Sequence, residues 1–335
     1  MDALDLDTPA LYVDRDVLER NISRMQEQCR GWGVGLRPHV KTHKIPEIAE
    51  LQLAAGAIGI TVAKVGEAEV LPGDDVLVAY PVVQAKLPRL RELAQTRRVK
   101  VAVDSVDVAR ELAGVETLVE IDVGAGRCGV QSAEQAVLVA RACSDFQGIL
   151  YWPSWLDEAG FHRAGERVDA VLAALSAAGL EARIVSGGST PGAAKTPLIP
   201  RTTEIRPGTY VFYDASSLEQ KLCVEADCAL RVLTTVVSTA VPGQCVIDAG
   251  SKTLSSDQTV GPGAYGHFIG RDWTLHKLNE EHGYVVARGP ARVGEKVWLV
   301  PSHVCPTVNL HDEIWYGRGG QVEGSWRVAA RGKVR

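Results

Sequence analysis

Short apolar runs rich in valine and isoleucine alternate with amphipathic stretches of helical period from the N-terminus to about residue 215. Strands buried on both faces that alternate with helices indicate a parallel sheet with right-handed crossovers. Eight or nine such units in roughly 200 residues fit a closed α/β barrel of the (β/α)8 TIM type better than an open doubly wound sheet. Strands are predicted at residues 11–14, 34–39, 58–62, 76–80, 99–104, 118–122, 148–151, 183–186 and 204–210. Helices are predicted at residues 17–29, 46–55, 106–113, 133–142 and 164–178.

The pattern changes after Asp214. Residues 230–240, 244–249, 283–288, 296–300 and 321–329 predict strands separated by turns that contain glycine and proline. No long amphipathic helix is predicted among them. We therefore expect two domains, a barrel over residues 1–215 and a C-terminal β domain over residues 216–335, with the extreme N-terminus packing against the β domain.

Composition and charge exclude several classes of protein. A formal net charge of −5 at pH 7 argues against a nucleic-acid partner. No run approaches the ~20 apolar residues that span a bilayer, so no membrane partner is expected. The N-terminus lacks the basic and apolar regions of a secretion signal. Seven scattered cysteines without such a signal indicate reduced thiols, and we expect a cytoplasmic enzyme.

One basic segment stands at the expected end of a barrel strand: Arg37-Pro38-His39-Val40-Lys41-Thr42-His43-Lys44. Catalytic side chains of such barrels gather at the C-terminal ends of the strands. A lysine forms a Schiff base only as the neutral amine, and neighbouring cations favour that form. The segment therefore makes Lys41 a candidate catalytic residue. A solvated basic loop is one alternative, and a metal pair of His39 and His43 is another, although Pro38 makes a shared helical face doubtful.

Two glycine-containing turns follow later strand candidates. Gly187-Gly188-Ser189-Thr190 comes after an apolar strand, and Gly208-Thr209-Tyr210 follows one short unit later. In barrels, the loops after the last strands commonly bind phosphate through backbone N–H groups and hydroxyls. A lysine early in the barrel and these turns late in it suit a phosphorylated ligand. Each turn alone is explained equally well as a tight turn.

Three further candidates lie at or beyond strand ends. The glycine-rich residues 122–129 contain Arg127, which supplies a fixed charge to a ligand or is simply a surface arginine in a βα turn. Tyr151 ends a strand, where its ring can face a cofactor. His162 opens a helical stretch and is a candidate general base, with a solvent-exposed histidine as the alternative.

A different pair stands in the β domain. His303 and Cys305 are two residues apart on an expected strand, so their side chains are predicted to point to the same face. An imidazole nitrogen and a thiolate together suit Zn²⁺ best, and two protein ligands leave positions for substrate and water. The alternative is a buried cysteine beside a hydrogen-bonded histidine.

Together these motifs resemble the family of D-threonine aldolases and D-serine dehydratases, pyridoxal-phosphate enzymes with the barrel of the alanine racemase N-terminal domain. The resemblance runs nearly end to end, through residues 8–14, 21–22, 36–44, 122–129, 187–190, 206–210, 281–283 and 301–312. It implies pyridoxal 5'-phosphate bound through Lys41, with His39, Tyr151 and Arg127 around the ring. It implies phosphate contacts from the turns at residues 187–190 and 208–210.

The resemblance also implies a divalent metal at His303 and Cys305, with zinc expected first and manganese or magnesium as alternatives. The substrate is then a small D-amino acid with a β-hydroxyl group. The β domain of such enzymes completes the active site of a partner subunit, so we expect a homodimer.

Two departures from the family pattern leave the reaction open. Cys305 stands where the aldolase branch carries aspartate and looks like the dehydratase branch, whereas residues 306–312 look more like the aldolase branch. The Tyr-His-Gly signature of the family is Tyr151-Trp152-Pro153 here, which leaves the aldolase base unassigned. We expect a dehydratase that forms a 2-oxo acid and ammonia, with retro-aldol cleavage to glycine and an aldehyde as the alternative. A racemase or a non-catalytic pyridoxal-phosphate carrier fits less well, because neither needs the His303 and Cys305 pair.

Overall fold

The computed structural model describes residues 1–153, 157–259 and 264–335. The chain divides into two compact units. The β unit consists of Met1–Ser23, Thr42–Glu47 and Thr209–Gly332, and the barrel unit consists of Arg24–Lys41, Ile48–Gly208 and Lys333–Arg335. The chain enters the β unit for the last time at Thr209, whereas the sequence put the boundary at residues 215 and 216. The helices are α1 Arg15–Trp32, α2 Pro46–Ala54, α3 Val65–Ala68, α4 Leu87–Ala94, α5 Val106–Glu111, α6 Ala133–Ala142, α7 Glu158–Ala177, α8 Ala215–Glu219, α9 Ser251–Leu254 and α10 Val304–Asn309.

The barrel unit is built on parallel strands. They are β2 Gly35–Leu36, β3 Ile60–Val62, β4 Asp75–Val78, β5 Arg98–Val103, β6 Glu116–Ile121, β7 Phe146–Tyr151, β8 Ile184–Gly187 and β9 Glu204–Ile205, in the order β2-β9-β8-β7-β6-β5-β4-β3. A parallel bridge between His39 and Thr61 connects the two ends of this sheet, so the sheet closes on itself. The predicted (β/α)8 barrel is confirmed.

The barrel strands are apolar because both of their faces are covered. Leu77, Ala102, Leu118 and Leu150 come from four adjacent strands and form one cluster in which each residue is at most 2% exposed. Burial of whole strands between neighbours and helices is what a parallel sheet requires. The continuous valine and isoleucine runs in the sequence therefore report this environment directly.

The β unit contains a mixed sheet. Its strands are β1 Ala10–Asp14, β10 Leu230–Ser238, β11 Gln244–Ile247, β12 Gly266–Phe268, β13 Trp273–Leu278, β14 Gly283–Ala287, β15 Lys296–Pro301, β16 Glu313–Arg318 and β17 Gln321–Arg327. The order is β13-β14-β11-β10-β1-β16-β17, and β15 pairs with both β10 and β12. The predicted C-terminal β domain is confirmed as a fold.

The assignment of residues 11–14 to the barrel is wrong. Strand β1 lies inside the sheet of the β unit, antiparallel to β10 and parallel to β16. A short apolar run shows that a strand is buried but does not identify its partners. Among the described residues, no helix is both long enough and apolar enough to cross a membrane.

Candidate active site

Polar side chains collect at the C-terminal ends of the barrel strands. Tyr151 is the last residue of β7, Gly187 is the last residue of β8, and Arg206 follows β9. His39 lies beyond β2, where its amide donates to the Pro207 carbonyl at 2.9 Å. Parallel strands bring their carboxyl ends to one edge, which is why residues this far apart in sequence share one end of the barrel.

Arg206 is the buried cation of this cluster. Its Nη1 atom donates to Ser186 Oγ at 2.7 Å and its Nη2 atom donates to the Tyr151 carbonyl at 2.8 Å. Burial lowers the pKa of Arg206 to about 10, with Glu204 and Glu120 acting in the opposite direction, so the guanidinium is still charged at neutral pH. A permanent positive charge therefore lies inside the end of the barrel.

Two buried polar atoms of this cluster have no hydrogen-bond partner within the described chain. They are His39 Nδ1 and Glu120 Oε2. Burial, reinforced by the positive charges of Lys41 and Arg206, holds the pKa of His39 well below its ordinary value, so the imidazole is neutral. Burial raises the pKa of Glu120. Unsatisfied buried polar atoms are costly, and they mark a place where a ligand supplies the missing partners.

Lys41 lies in the short 3-10 helix Val40–Thr42 that follows the bridge at His39. Its side chain is exposed, and its charge is among the causes of the low pKa of His39. An accessible amine beside a neutral imidazole and a buried guanidinium has the surroundings of a nucleophile for an anionic carbonyl compound.

The Gly187–Thr190 turn is closely packed. A side chain on Gly187 would place its β-carbon 2.1 Å from Tyr151 Cζ, and Gly188 has a φ of +78°. The Gly208 amide donates to Thr190 Oγ1 at 3.2 Å, and the Gly192 amide donates to Ser189 Oγ at 3.2 Å. The structure therefore brings Thr190 and Gly208 together, although 18 residues separate them.

The other members of the second predicted turn belong to the β unit. Thr209 begins the 3-10 helix Thr209–Val211, and Tyr210 in that helix is fully buried. The Tyr213 amide donates to the Thr209 carbonyl at 2.7 Å. Tyr210 is thus a core residue of its own unit.

Arg127 lies on the loop after β6, and its guanidinium carbon is 4.5 Å from the centroid of the Trp152 ring. Asp122 organises this loop by accepting hydrogen bonds from the amides of Gly124, Ala125 and Gly126 at 2.8–3.1 Å. Partial burial opposes ionisation of Asp122, but these amides outweigh it and lower the pKa of its carboxyl. The loop therefore presents Arg127 on a rigid turn.

Tyr151 and His162 differ in their surroundings. Tyr151 is 1% exposed, and its hydroxyl lies 2.6 Å from Thr202 Oγ1. Burial raises the pKa of Tyr151. The side chain of His162 is 58% exposed on α7, and its Nε2 atom is 4.0 Å from Glu158 Oε1. This exposed position gives no support to His162 as a catalytic base.

His303 and Cys305 lie at the start of α10 rather than on a strand, so the strand assignment is wrong. Strand β15 ends at Pro301, His303 caps the helix, and Cys305 is in its first turn. Pro306 suits this turn, because the first helical amides need no partner within the helix. Cys305 nevertheless acts on the imidazole of His303, where it favours the protonated form and so raises the pKa.

Two carboxylates organise this turn. Asp257 Oδ2 is 2.7 Å from His303 Nδ1, and Asp214 Oδ2 accepts from the Val304 amide at 3.4 Å. Burial works against the imidazolium, but Cys305 and Asp257 outweigh it and raise the pKa of His303 to about 9. The Cys305 thiol also donates to Thr42 Oγ1 at 3.3 Å, and Thr42 directly follows Lys41 in the chain.

The donor chemistry suits a metal, since an imidazole nitrogen and a thiolate are the ligands that zinc prefers. No cluster of three or more His, Cys, Asp or Glu side chains in the described part of the chain is arranged to hold a metal. The pair would therefore supply two ligands.

Arg206, Glu120, Asp214 and Asp257 were not predicted as site residues. Arg206 could have been found from its place directly after a barrel strand. The others depend on contacts between residues distant in sequence, such as the 46 positions that separate Asp257 from His303.

A closed parallel barrel with a buried arginine, unsatisfied polar atoms and an accessible lysine at its carboxyl edge is the arrangement of a barrel enzyme. The sequence family that comprises the alanine racemase N-terminal domain matches residues 13–216, and the family of a putative serine dehydratase domain matches residues 229–316. The chain belongs to the D-threonine aldolase and D-serine dehydratase family, as the sequence motifs predicted.

Individual relatives represent both reactions. A 3-hydroxy-D-aspartate aldolase of Paracoccus denitrificans (strain Pd 1222) is 36% identical and aligns with 99% of this chain and 94% of its own length. The structure of a D-threonine aldolase from Filomicrobium marinum is 35% identical, with a TM-score of 0.91 over 99% of this chain and 98% of that one. A cysteine-to-alanine mutant of D-threo-3-hydroxyaspartate dehydratase in the metal-free form is 31% identical, with a TM-score of 0.88 over 98% of both chains. Aldolases and dehydratases of D-amino acids are lyases, and the prediction of a lyase is confirmed.

Proposed function

We propose that this chain is a pyridoxal-phosphate and divalent-metal-dependent lyase for D-β-hydroxy amino acids, and that it eliminates water to give a 2-oxo acid and ammonia. The observation that carries the proposal is the barrel-end cluster, in which His39 Nδ1 and Glu120 Oε2 are buried without partners beside the charged Arg206. These residues fit an anionic aromatic cofactor with ring atoms that donate and accept hydrogen bonds.

When bound, the pyridoxal group draws electrons from the substrate α-carbon, and the metal polarises the β-hydroxyl. Lys41 Nζ would anchor the cofactor and then accept the α-proton. The hydroxyls of Ser189 and Thr190 would orient the phosphate, while the Arg206 guanidinium keeps positive charge beside the ring. Arg127 and Tyr151, which lie at the ends of neighbouring strands, would form the sides of the pocket for the pyridoxal ring.

The dehydratase reaction is favoured by Cys305. A thiolate and an imidazole hold a soft, strongly polarising ion such as Zn²⁺, which suits departure of a hydroxyl group. Asp257 fixes the orientation of His303 at a distance of 2.7 Å. Such carboxylate partners orient metal-bound histidines and raise their affinity for the ion.

The second candidate is aldol cleavage to glycine and an aldehyde, which the relationship to 3-hydroxy-D-aspartate and D-threonine aldolases favours. It needs a base that takes the β-hydroxyl proton rather than the α-proton. The candidate for that base, His162, is exposed to solvent on α7, and this position does not favour the aldolase reaction.

Incubation of the cofactor-loaded protein with D-threonine and Zn²⁺ or Mn²⁺ separates the two reactions. The dehydratase produces 2-oxobutyrate and ammonia, whereas the aldolase produces glycine and acetaldehyde. L-Threonine is the stereochemical control, and EDTA should abolish turnover until the metal is restored. If D-threonine, D-serine and D-3-hydroxyaspartate are all unchanged, both candidates fail.

Two variants test the metal ligand. Cys305→Ala should lower the affinity for Zn²⁺, measured by calorimetry, and turnover should fall with it. Cys143→Ser is the matched control, because Cys143 is a half-buried thiol of the barrel unit whose hydrogen bond goes to the Val139 carbonyl. Equal zinc affinity in both variants would refute a metal site at His303 and Cys305.

We also propose that the two compact units act as a cofactor-binding domain and a metal-binding domain, and that the enzyme is a homodimer. Sedimentation equilibrium of the loaded protein tests the dimer, and a monomeric active enzyme would refute it.

A further inference from the structure

Ser186, Glu204 and Arg206 are neighbours on two adjacent strands of the barrel unit. Ser186 in β8 is the parallel partner of Glu204 in β9, and Arg206 comes two positions after Glu204. Residues two apart on an extended chain point to the same face, so Glu204 and Arg206 project to one side of the sheet. All three residues are buried. Their side chains therefore form one buried polar group.

Arg206 is a buried cation that has no carboxylate in direct contact. Within the described part of the chain its guanidinium forms no ion pair, and its hydrogen bonds go to Ser186 Oγ at 2.7 Å and to the Tyr151 carbonyl at 2.8 Å. Burying a charge is costly unless the charge is paired and hydrogen-bonded. Burial lowers the pKa of Arg206, and Glu204 opposes this more strongly than Glu120 does. The carboxylate with the larger effect on Arg206 is thus the one that Ser186 separates from it.

The direction of the hydrogen bonds through Ser186 is fixed by the groups involved. A guanidinium only donates and a carboxylate only accepts, whereas a hydroxyl donates one hydrogen and also accepts. Ser186 Oγ therefore accepts from Arg206 Nη1, and its hydrogen goes to Glu204 Oε1 at 2.7 Å. Successive hydrogen bonds of this kind polarise one another and so become stronger. The Ser186 hydroxyl thus connects the negative charge of Glu204 to the positive charge of Arg206.

Both ends of this chain of hydrogen bonds are anchored. At one end, Arg37 Nε donates to both carboxylate oxygens of Glu204 at 3.0 Å, which fixes the carboxylate that Ser186 contacts. At the other end, the Tyr151 carbonyl that accepts from Arg206 Nη2 is part of the backbone of β7. Because two different nitrogens of the guanidinium are held, rotation of the group about its Nε–Cζ bond breaks at least one hydrogen bond.

We propose that Ser186 and Glu204 are positioning residues for Arg206, with the Ser186 hydroxyl as the link that holds the guanidinium in one orientation for the cofactor. The proposal rests on the proposed function, because that function gives Arg206 its place beside the cofactor. Neither Ser186 nor Glu204 is assigned a contact with the cofactor. Their substitution should therefore change how well the cofactor binds without removing any group that touches it.

A double-mutant cycle on the affinity for pyridoxal phosphate tests the link, with the dissociation constant measured by spectroscopic titration of the full chain. Ser186→Ala should raise this constant about tenfold, because a hydrogen bond to a charged group contributes at least about that factor. Glu204→Gln should also raise it. The double variant should lose less affinity than the product of the two single losses, since both substitutions break the same chain of hydrogen bonds. A loss equal to that product would overturn the proposal.

Thr117→Val is the matched control for Ser186→Ala. Thr117 is buried in β6, and its hydroxyl donates to the Asp145 carbonyl at 2.9 Å, apart from the Ser186 chain. The control also removes one buried hydroxyl from a barrel strand, but it should leave the dissociation constant unchanged. If Thr117→Val weakens cofactor binding as much as Ser186→Ala does, the effect comes from the stability of the barrel, and the role of Ser186 as a link is refuted.

The orientation of Arg206 can also be measured without the cofactor. In protein with isotope-labelled arginine, nitrogen NMR gives two Nη signals for a guanidinium that is held in place and one averaged signal for a guanidinium that rotates freely. Arg206→Lys identifies the signals of Arg206 by their absence. We expect two signals in the unsubstituted protein and in Thr117→Val, and one in Ser186→Ala.

This measurement separates the two proposals. Two Nη signals for Arg206 in Ser186→Ala would overturn the positioning role of Ser186, whatever the protein binds. An unsubstituted protein that does not bind pyridoxal phosphate would refute the proposed function, while the Arg206 signals would still decide whether Ser186 holds the guanidinium.

Discussion

Arg37 ties together the two strands that lead to His39 and Arg206. Strands β2 and β9 pair over only two residues each. Across them, Arg37 Nε donates to both carboxylate oxygens of Glu204 at 3.0 Å, and its Nη1 atom donates to Asp75 Oδ1 at 2.5 Å. The side chains of Arg37 and Glu204 are 3% and 4% exposed. We expect Arg37→Met to destabilise the barrel and to weaken cofactor binding with it.

The size of the effect follows from what the substitution leaves behind. Removing one partner of a buried ion pair costs about 3–5 kcal/mol, because the other charge stays buried without compensation. Glu204 keeps a hydrogen bond from Ser186 Oγ at 2.7 Å, and Asp75 keeps Lys100 Nζ at 2.6 Å. The loss should therefore lie at the lower end, about 3 kcal/mol, or roughly 160-fold in the equilibrium between folded and unfolded barrel. The double variant Arg37→Met/Glu204→Gln leaves no unpaired Glu204 charge and should lose less, about 1–2 kcal/mol.

Urea unfolding followed by far-ultraviolet circular dichroism measures these losses, with linear extrapolation applied to the first transition. Arg110→Met is the control, because the Arg110 side chain is 68% exposed and its ion pair with Asp107 spans 3.6 Å. Exposed pairs contribute about 0–1 kcal/mol, so this control should leave the transition almost unchanged. A double variant that loses as much as Arg37→Met would refute the argument, because the unpaired charge would then contribute nothing.

Three further predictions concern the same barrel. In Lys41→Ala, the visible absorption band of the lysine-bound cofactor should be absent. In the unsubstituted protein, borohydride reduction should attach the cofactor permanently to Lys41. An unchanged band in the variant, or attachment to another residue, would exclude Lys41 as the anchor. Burial opposes ionisation of Asp75, but Arg37 and Lys100 outweigh it and lower the pKa of its carboxyl. The stabilising contribution of Asp75 is therefore complete above the pKa of about 3.9 of an unfolded aspartate, and it is lost as the pH falls through the lower folded value. Acid unfolding of Arg37→Met should begin at higher pH than that of the unsubstituted protein, and coincident acid transitions would contradict this sign. Gly187→Ala would force a β-carbon to within 2.1 Å of Tyr151 Cζ. It should lower the free energy of unfolding by about 1–3 kcal/mol and weaken the affinity for the cofactor. Adding Tyr151→Leu should restore part of the stability and part of the affinity, whereas a Gly187→Ala protein that binds the cofactor normally would show that the turn is not closely packed.

The barrel could be predicted from the sequence because each of its strands is buried by local neighbours. A run such as residues 76–80 is apolar because a strand of a parallel sheet is covered on both faces, and the observed β4 overlaps it. Residues 11–14 carry the same signal, but it contains no information about partners, and they pair with β10 and β16 instead. Strands β12 and β13 were not predicted, because exposed polar residues such as His267, Thr274 and His276 interrupt their apolar positions.

The candidate site shows the same division. Lys41 and the Gly187–Thr190 turn stand at the ends of runs predicted to be strands, so their end of the barrel could be predicted. The buried position of Arg206 and the missing partners of His39 Nδ1 arise from pairing between β2, β9 and the neighbouring strands, which sequence spacing does not encode. His303 and Cys305 were assigned to a strand, yet Pro306 in the next position is a signal for the first turn of a helix.

The passage of the chain between the two units limits how this protein can be cut. Strand β1 enters the sheet of the β unit before the barrel has begun, and it uses both of its edges there. A fragment that ends at residue 215 would keep β1 and lose β10 and β16 together. Two bare edges on one apolar strand form a template for aggregation. A barrel unit expressed by itself must therefore also lack the N-terminal segment that contains β1. A single cut in the chain cannot produce two fragments that each contain one complete unit.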